Sequence, residues 1–333
     1  MASPPHPDGA ARPAAEPSAA TSVASLMDAR LVMVTGKGGT GKTTFACALA
    51  VLGAAKGKRT VLVEIDNQRP STAAVFGRTP TYVPVEVLPG LSISNITFVE
   101  ALTSFVEDIV PVRRVVKLVL ENKIVQRFLD FTPGSRELVT LARLGQLAKS
   151  HDLVIVDMPA SGHAFSLLDV LRSAIGLFRS GPVRALAHEL GDLLRHGRTR
   201  LVLVALPEEM VINETLETLD RLREAHLVGG PPVVFLNRAT LPSMTDAERE
   251  LVRRLGEVET DELGREFVRA GRWEDELEQA TAVARDRLAA SFTETPVLVP
   301  PAGPGGVPRA VVSAIAVHVG RLVGLTRREL PWT

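Results

Sequence analysis

Seven short apolar runs punctuate this chain, and between them the apolar positions recur at helical spacing. The runs are LVMVT (31–35), TVLVEI (60–65), LSISNI (91–96), LVIVD (153–157), RLVLVAL (200–206), PVVFLN (232–237) and PVLVP (296–300). Runs that are apolar throughout, without polar alternation, suit strands covered on both faces, as in a parallel sheet. Between the fifth and sixth runs, Ile212, Leu216, Leu219 and Leu222 follow one another at helical intervals. The alternation predicts an α/β fold, doubly wound, with a mostly parallel sheet of about seven or eight strands and helices on both faces. Two stretches are too long for plain crossovers and read as inserted helices, at about 97–150 and 243–292. In the first, the pattern Leu102, Phe105, Val106, Ile109, then Val115, Val116, Val119 is helical; in the second, Thr245 or Asp246 is the N-cap, with Glu248 in the first turn. No internal repeat is visible, so residues 27–330 are expected to form one domain.

Composition changes this picture only at the ends and in what it excludes. Residues 1–26 are rich in Pro, Ala and Ser and are expected to be a disordered tail rather than a signal peptide. Lys+Arg and Asp+Glu balance at 38 each, so the overall charge provides no reason to bind nucleic acid. No run reaches the ~18 apolar residues of a membrane span. The single cysteine, Cys47, precludes an intramolecular disulfide and suits a reducing cytoplasm.

The candidate chemistry follows the first run. Gly36, Gly41, Lys42 and Thr43 fit G-x-x-x-x-G-K-[ST], after a strand and before a helix. Glycines let backbone N–H groups approach phosphates, and the helix start adds its positive dipole end. Lys42 is expected to reach the β- and γ-phosphates of ATP, and the Thr43 hydroxyl to ligate Mg²⁺. The whole stretch from Gly36 through Lys37, Gly38, Gly39, Thr40, Gly41, Lys42 and Thr43 to Thr44 is the predicted phosphate cradle.

GKGGTGKTT resembles the deviant phosphate loop (deviant Walker A) of the ATPase class that holds the MinD/ParA proteins, the nitrogenase iron protein and the arsenite-pump ATPases with their tail-anchored-protein-targeting relatives. The resemblance implies that Lys37 crosses a homodimer interface to the partner's nucleotide, so that hydrolysis is gated by dimerisation. It implies that Asp66, just past the second strand, orients or deprotonates the attacking water, and that Asp157, ending the fourth run, holds Mg²⁺ through water. VIVDMPASGHAFSLLDVLR resembles the second-switch signature of the arsenite-pump and tail-anchored-targeting family, with Gly162 as its pivot and His163 kept out of the chemistry. PGSRELVTLARLGQLAKS and ALPEEMVINETLETLDRL resemble further family segments. FLNR puts Asn237 where the family reads the adenine edge, and VLVPP puts Pro300 in the loop that closes over the base.

In the first switch, Asn67 and Arg69 replace the family's usual proline and histidine. The ligands of the relatives are also missing. A metalloid site needs converging thiolates and a structural zinc typically four ligands, so neither is expected with one cysteine per chain. The expected function is a Mg-dependent ATPase acting as a dimeric switch of the arsenite-pump type on an unknown protein partner or client. Two alternatives stand beside it. One is a MinD/ParA-like positioning ATPase that associates with a membrane or other surface, suggested by DNQ at 66–68 and the C-terminal RLVGLTRRELPWT. The other is a nucleotide-dependent scaffold with little turnover, suggested by the altered first switch.

Overall fold

Each of the seven apolar runs becomes a strand in the computed structural model, which describes residues 17–109, 134–159, 170, 180–195, 198–225, 230–258, 261–291, 295–303 and 307–332. These are β1 (Leu31–Thr35), β2 (Thr60–Ile65), β4 (Leu91–Ile96), β5 (Leu153–Asp157), β6 (Thr199–Ala205), β7 (Val233–Asn237) and β8 (Val297–Val299). An eighth, β3 (Val85–Leu88), pairs antiparallel with β4 at one edge, and the sheet order is β3-β4-β2-β5-β1-β6-β7-β8, all other pairs parallel. The sequence pattern missed β3 because it is a short edge strand whose side chains are only partly covered, so no continuous apolar run marks it.

Because strand side chains alternate, each inner strand feeds two cores. Val32 and Val34 of β1 face one cluster with Leu62, Ile155, Val202 and Phe235, covered by α2 (Lys42–Ala55) and the helix Pro308–Leu322. Leu31 and Met33 face the other, with Val61, Val63, Val154 and Val156, under α4 (Phe98–Ile109), α5 (Ser135–Ser150) and α6 (Pro182–Arg195). A third cluster joins Leu203, Ala205, Val234 and Leu236 to α7 (Glu209–Ala225) and to a long helix near the C-terminus. The small residues of α2 allow close approach to the sheet: a Cβ on Gly53 would lie 2.6 Å from Leu153.

The expected disordered stretch needs correction between residues 17 and 26. Pro17–Asp28 form helix α1, whose Val23, Leu26 and Met27 are buried in the cluster that also holds Ile315 and Val319. Their spacing of three and four puts them on one helical face, a signal that the Pro/Ala/Ser-rich composition hides. Residues 1–16 lie outside the described residues.

Of the first insertion, α4 and α5 are described; Val115, Val116 and Val119 lie outside. The second insertion consists of α8 (Asp246–Leu255) and α9 (Glu262–Ser291). Thr245 caps α8 in a capping box with Glu248, as the sequence predicts. Arg249 of α8 pairs with Asp275 and Glu278 of α9 and ties the two helices together. After β8, α10 (Pro308–Leu322) returns to pack beside α2. A five-residue helix, α3 (Thr72–Phe76), follows the loop after β2. No described helix is long and apolar enough to cross a membrane.

Candidate functional site

The phosphate loop leaves the sheet at its centre, since β1 lies between β5 and β6. Between Thr35 and Lys42 the backbone visits conformations that side chains disfavour: Gly36 has φ 142°, Gly39 84° and Gly41 100°. Gly36 also admits no Cβ, which would fall 2.3 Å from the Val204 carbonyl oxygen of β6. The loop holds itself in shape. Thr40 Oγ1 donates to the Lys37 carbonyl at 2.9 Å and Lys42 Nζ to the same oxygen at 3.0 Å. Gly38 and Gly39 are exposed, while Thr44 is half-buried in the first turn of α2. With α2 starting at Lys42, the helix N-terminus and the loop N–H groups form a cradle suited to an anion. Burial pushes the Lys42 pKa down, while Asp157 and Glu214 pull it up. This partly desolvated cation would gain by meeting phosphate charge.

On the neighbouring strand, Asp157 ends β5 opposite Val34. Its Oδ2 accepts a hydrogen bond of 2.5 Å from Thr43 Oγ1, and its buried Oδ1 has no hydrogen-bond partner among the described residues. Burial raises its pKa to about 6; the Thr43 bond lowers it, the charge of Glu64 raises it and Lys42 lowers it. A hydroxyl and a carboxylate with an unused oxygen, at the mouth of a glycine cradle, are hard oxygen donors of the kind Mg²⁺ takes, so these residues fit the ion.

The Asp157 shift has a measurable sign. A carboxylate whose folded pKa lies above its unfolded value contributes stability below the unfolded value and loses it as pH rises through about 6. In nucleotide-free protein, Asp157→Asn should therefore raise the melting temperature at pH 7 and remove part of the parental decline between pH 4 and 6. Thermal melts across that range check this; an unchanged slope would contradict it.

Asp66 lies just past β2 with a left-handed backbone, φ 47°, and its N–H donates to the Ile96 carbonyl at 2.8 Å. Its exposed carboxylate faces Arg136 of α5, 3.5 Å away. The Arg136 guanidinium in turn lies over the Phe98 ring, 4.4 Å from the centroid. Asp66 and Asp157 both line a cavity of ≈ 520 Å³ with Glu64, Phe98, Arg136 and Met158. Lys37 is not part of that lining; its Nζ stands 3.5 Å from Glu214 Oε2 on α7.

Asn237, expected near the adenine, is buried at the end of β7, and its amide braces the phosphate loop. Its Nδ2 donates to the Thr40 carbonyl at 2.8 Å and its Oδ1 accepts from the Arg238 N–H at 2.9 Å. A Cβ on Gly41 would meet that Nδ2 at 2.8 Å, so the glycine and the asparagine fit as a pair. Pro300, half-buried, follows β8, whose Val299 is in register with Asn237. Gly162 and His163 lie outside the described residues.

Sequence reasoning missed Glu64, Arg136 and Glu214 at this site. Glu64 had a visible signal, a lone carboxylate inside the apolar run TVLVEI. Arg136 and Glu214 are charged residues on helices, and nothing in their spacing distinguishes them from a solvated face.

The comparisons with known proteins agree with the motifs. The model of a family described as anion-transporting ATPase matches residues 29–179, which include the phosphate loop, Asp66 and Asp157. ATPase BagA of Mycobacterium tuberculosis is 29% identical over 262 residues, 74% of this chain and 75% of that protein. The arsenical pump-driving ATPase of Acidiphilium multivorum is 30% identical over 218 residues, 58% of this chain and 37% of its own length. An ATPase ASNA1 homolog of Plasmodium berghei is 31% identical over 150 residues, 44% and 38% of the two chains.

Proposed function

Since residues 29–179 belong to the anion-transporting ATPase family, we propose that this chain binds ATP at Gly36–Thr44 and hydrolyses it as a homodimer whose closure controls an interaction with a protein partner. The observation that carries the reading is the Thr43–Asp157 pair at the glycine cradle, with the buried Asp157 Oδ1 left without a hydrogen-bond partner among the described residues and Asp157 lining the cavity it shares with Asp66.

Loop N–H groups and Lys42 bind the phosphates of ATP in the ground state. Thr43 and Asp157 would hold Mg²⁺, which when bound neutralises phosphoryl charge. Asp66 orients the attacking water and receives its proton, as a carboxylate beyond a strand's C-terminal end is placed to do. Lys37 exchanges its contact with Glu214 for the partner protomer's nucleotide and delivers a cation to the developing phosphoryl charge. Asn237 keeps the loop shaped from behind.

The reading is tested by phosphate release as a function of protein concentration. Turnover per protomer should require Mg²⁺ and rise with concentration until dimers dominate; no turnover at any concentration would leave the scaffold alternative instead.

The ligand of the arsenical relatives is not expected here. Cys47 is fully buried on α2, and burial raises its thiol pKa well above the ordinary value, so thiolate for a soft ion is scarce. Cys47→Ala should keep the parental ATPase rate and lose on the order of 1 kcal/mol of stability. Arsenite or antimonite should stimulate neither form. Stimulation that disappears in Cys47→Ala would establish a thiolate site.

A further inference from the structure

Glu64 is the outlier of β2, a carboxylate in an otherwise apolar strand core, only 1% exposed. A buried carboxylate is costly unless every oxygen is well bonded. Its partners lie on one short segment. Glu64 Oε1 accepts from Asn67 Nδ2 at 2.9 Å and from the Ser71 N–H at 2.9 Å, and Oε2 accepts from Thr72 Oγ1 at 2.6 Å. One side chain therefore grips the loop after β2 both where it departs and where it enters α3.

Asn95 of β4 completes the anchorage: its Oδ1 accepts from the Asn67 N–H at 3.2 Å and its Nδ2 donates to the Asn67 carbonyl at 2.8 Å. Asp66 sits immediately before the gripped segment. A left-handed backbone is unfavourable for a residue other than glycine and persists only where its surroundings impose it. Glu64 also lies directly beside Asp157, its register partner on β5. The same carboxylate thus borders the Thr43–Asp157 pair and clamps the loop that carries Asp66.

We propose that Glu64 is a positioning residue for hydrolysis, holding the 67–72 loop so that Asp66 faces the cavity it shares with Asp157. This rests on the reading of Asp66 as the water-directing group. Glu64 touches no reacting atom; it acts by fixing where Asp66 stands. Misplacing a reacting group by about 1 Å costs on the order of 10²-fold in rate. The loss should fall on kcat, because the phosphate cradle is built from β1, α2 and β7 and does not depend on this loop.

The test compares Glu64→Ala, Glu64→Gln, Thr72→Val and Asp66→Asn in the full chain, by ATP affinity, turnover and amide hydrogen exchange over 67–72. Glu64→Ala should keep near-parental affinity, lose about 10²-fold in turnover and exchange faster at Ser71. Glu64→Gln should restore most of both, because its amide oxygen still accepts from the Ser71 N–H and its NH₂ can donate to Thr72. Thr72→Val, which removes one bond of the three, should slow turnover in the same sense and serves if Glu64→Ala fails to fold. Parental turnover in Glu64→Ala, or in Thr72→Val where Glu64→Ala does not fold, would overturn the proposal. So would equal loss of affinity and turnover, or Gln as slow as Ala. If exchange changes as stated but Asp66→Asn hydrolyses at the parental rate, the Asp66 reading has failed and the proposal with it, while the grip of Glu64 on the loop stands.

Discussion

Lys37→Ala should bind ATP with near-parental affinity and hydrolyse it about 10³–10⁵-fold more slowly, the range that trans-acting cations supply in phosphoryl transfer. Lys42→Ala should fail at the earlier step and lose ATP binding itself. The two lysines are five residues apart in one loop but stand in different surroundings. Lys42 Nζ folds back over the loop to the Lys37 carbonyl, inside the cradle and partly desolvated. Lys37 points outward to Glu214 and takes no part in lining the cavity of Asp66 and Asp157. A cation in the cradle stabilises bound phosphate before any reaction, whereas one delivered on closure acts only as charge develops. Nucleotide titration alongside single-turnover kinetics separates the two, and equal loss of affinity in both variants would contradict the in-trans role.

Asp66→Asn should trap ATP. The amide keeps the shape of the carboxylate but is a poor base, so ATP binds, the dimer closes and hydrolysis stalls, a loss of about 10²–10⁴-fold for a general base. The exposed position of Asp66 means the substitution leaves no buried group unpaired, and its contact with Arg136 is a surface pair of small energy. Fold and stability should therefore be nearly parental. Size-exclusion chromatography with ATP and Mg²⁺ should show a stable dimer. Parental turnover would move the catalytic role to another residue.

Much of this architecture was legible because buried parallel strands are apolar on both faces, and each of the seven runs stands out against its surroundings. What remained hidden has physical causes. β3 is half-covered at an edge, and α1 buries one thin apolar stripe within a stretch whose composition resembles a solvated tail. The phosphate loop was legible because three of its glycines are required by geometry: Gly36, Gly39 and Gly41 take positive φ, and at Gly36 the β6 backbone leaves no room for a side chain. Asn237 shows the limit. A strand-end asparagine is visible in sequence, but its hydrogen bond to the Thr40 carbonyl depends on how β7 sits beside β6, the strand that separates it from β1. Glu64 is a related case, since a carboxylate in a strand acquires meaning only when the loop it holds comes back to meet it.

The central claim is that each site is completed by the partner's Lys37, and mixing two inactive variants tests it most directly. Lys37→Ala and Asp66→Asn are each expected to be nearly inactive alone. In a mixed dimer, the site on the Lys37→Ala protomer keeps its own Asp66 and receives Lys37 from the Asp66→Asn protomer. Equal mixing with subunit exchange should therefore restore roughly one quarter of parental activity, because half of random dimers are mixed and each holds one intact site. Activity no greater than the sum of the two separate variants would contradict the account and return Lys37 to its own protomer.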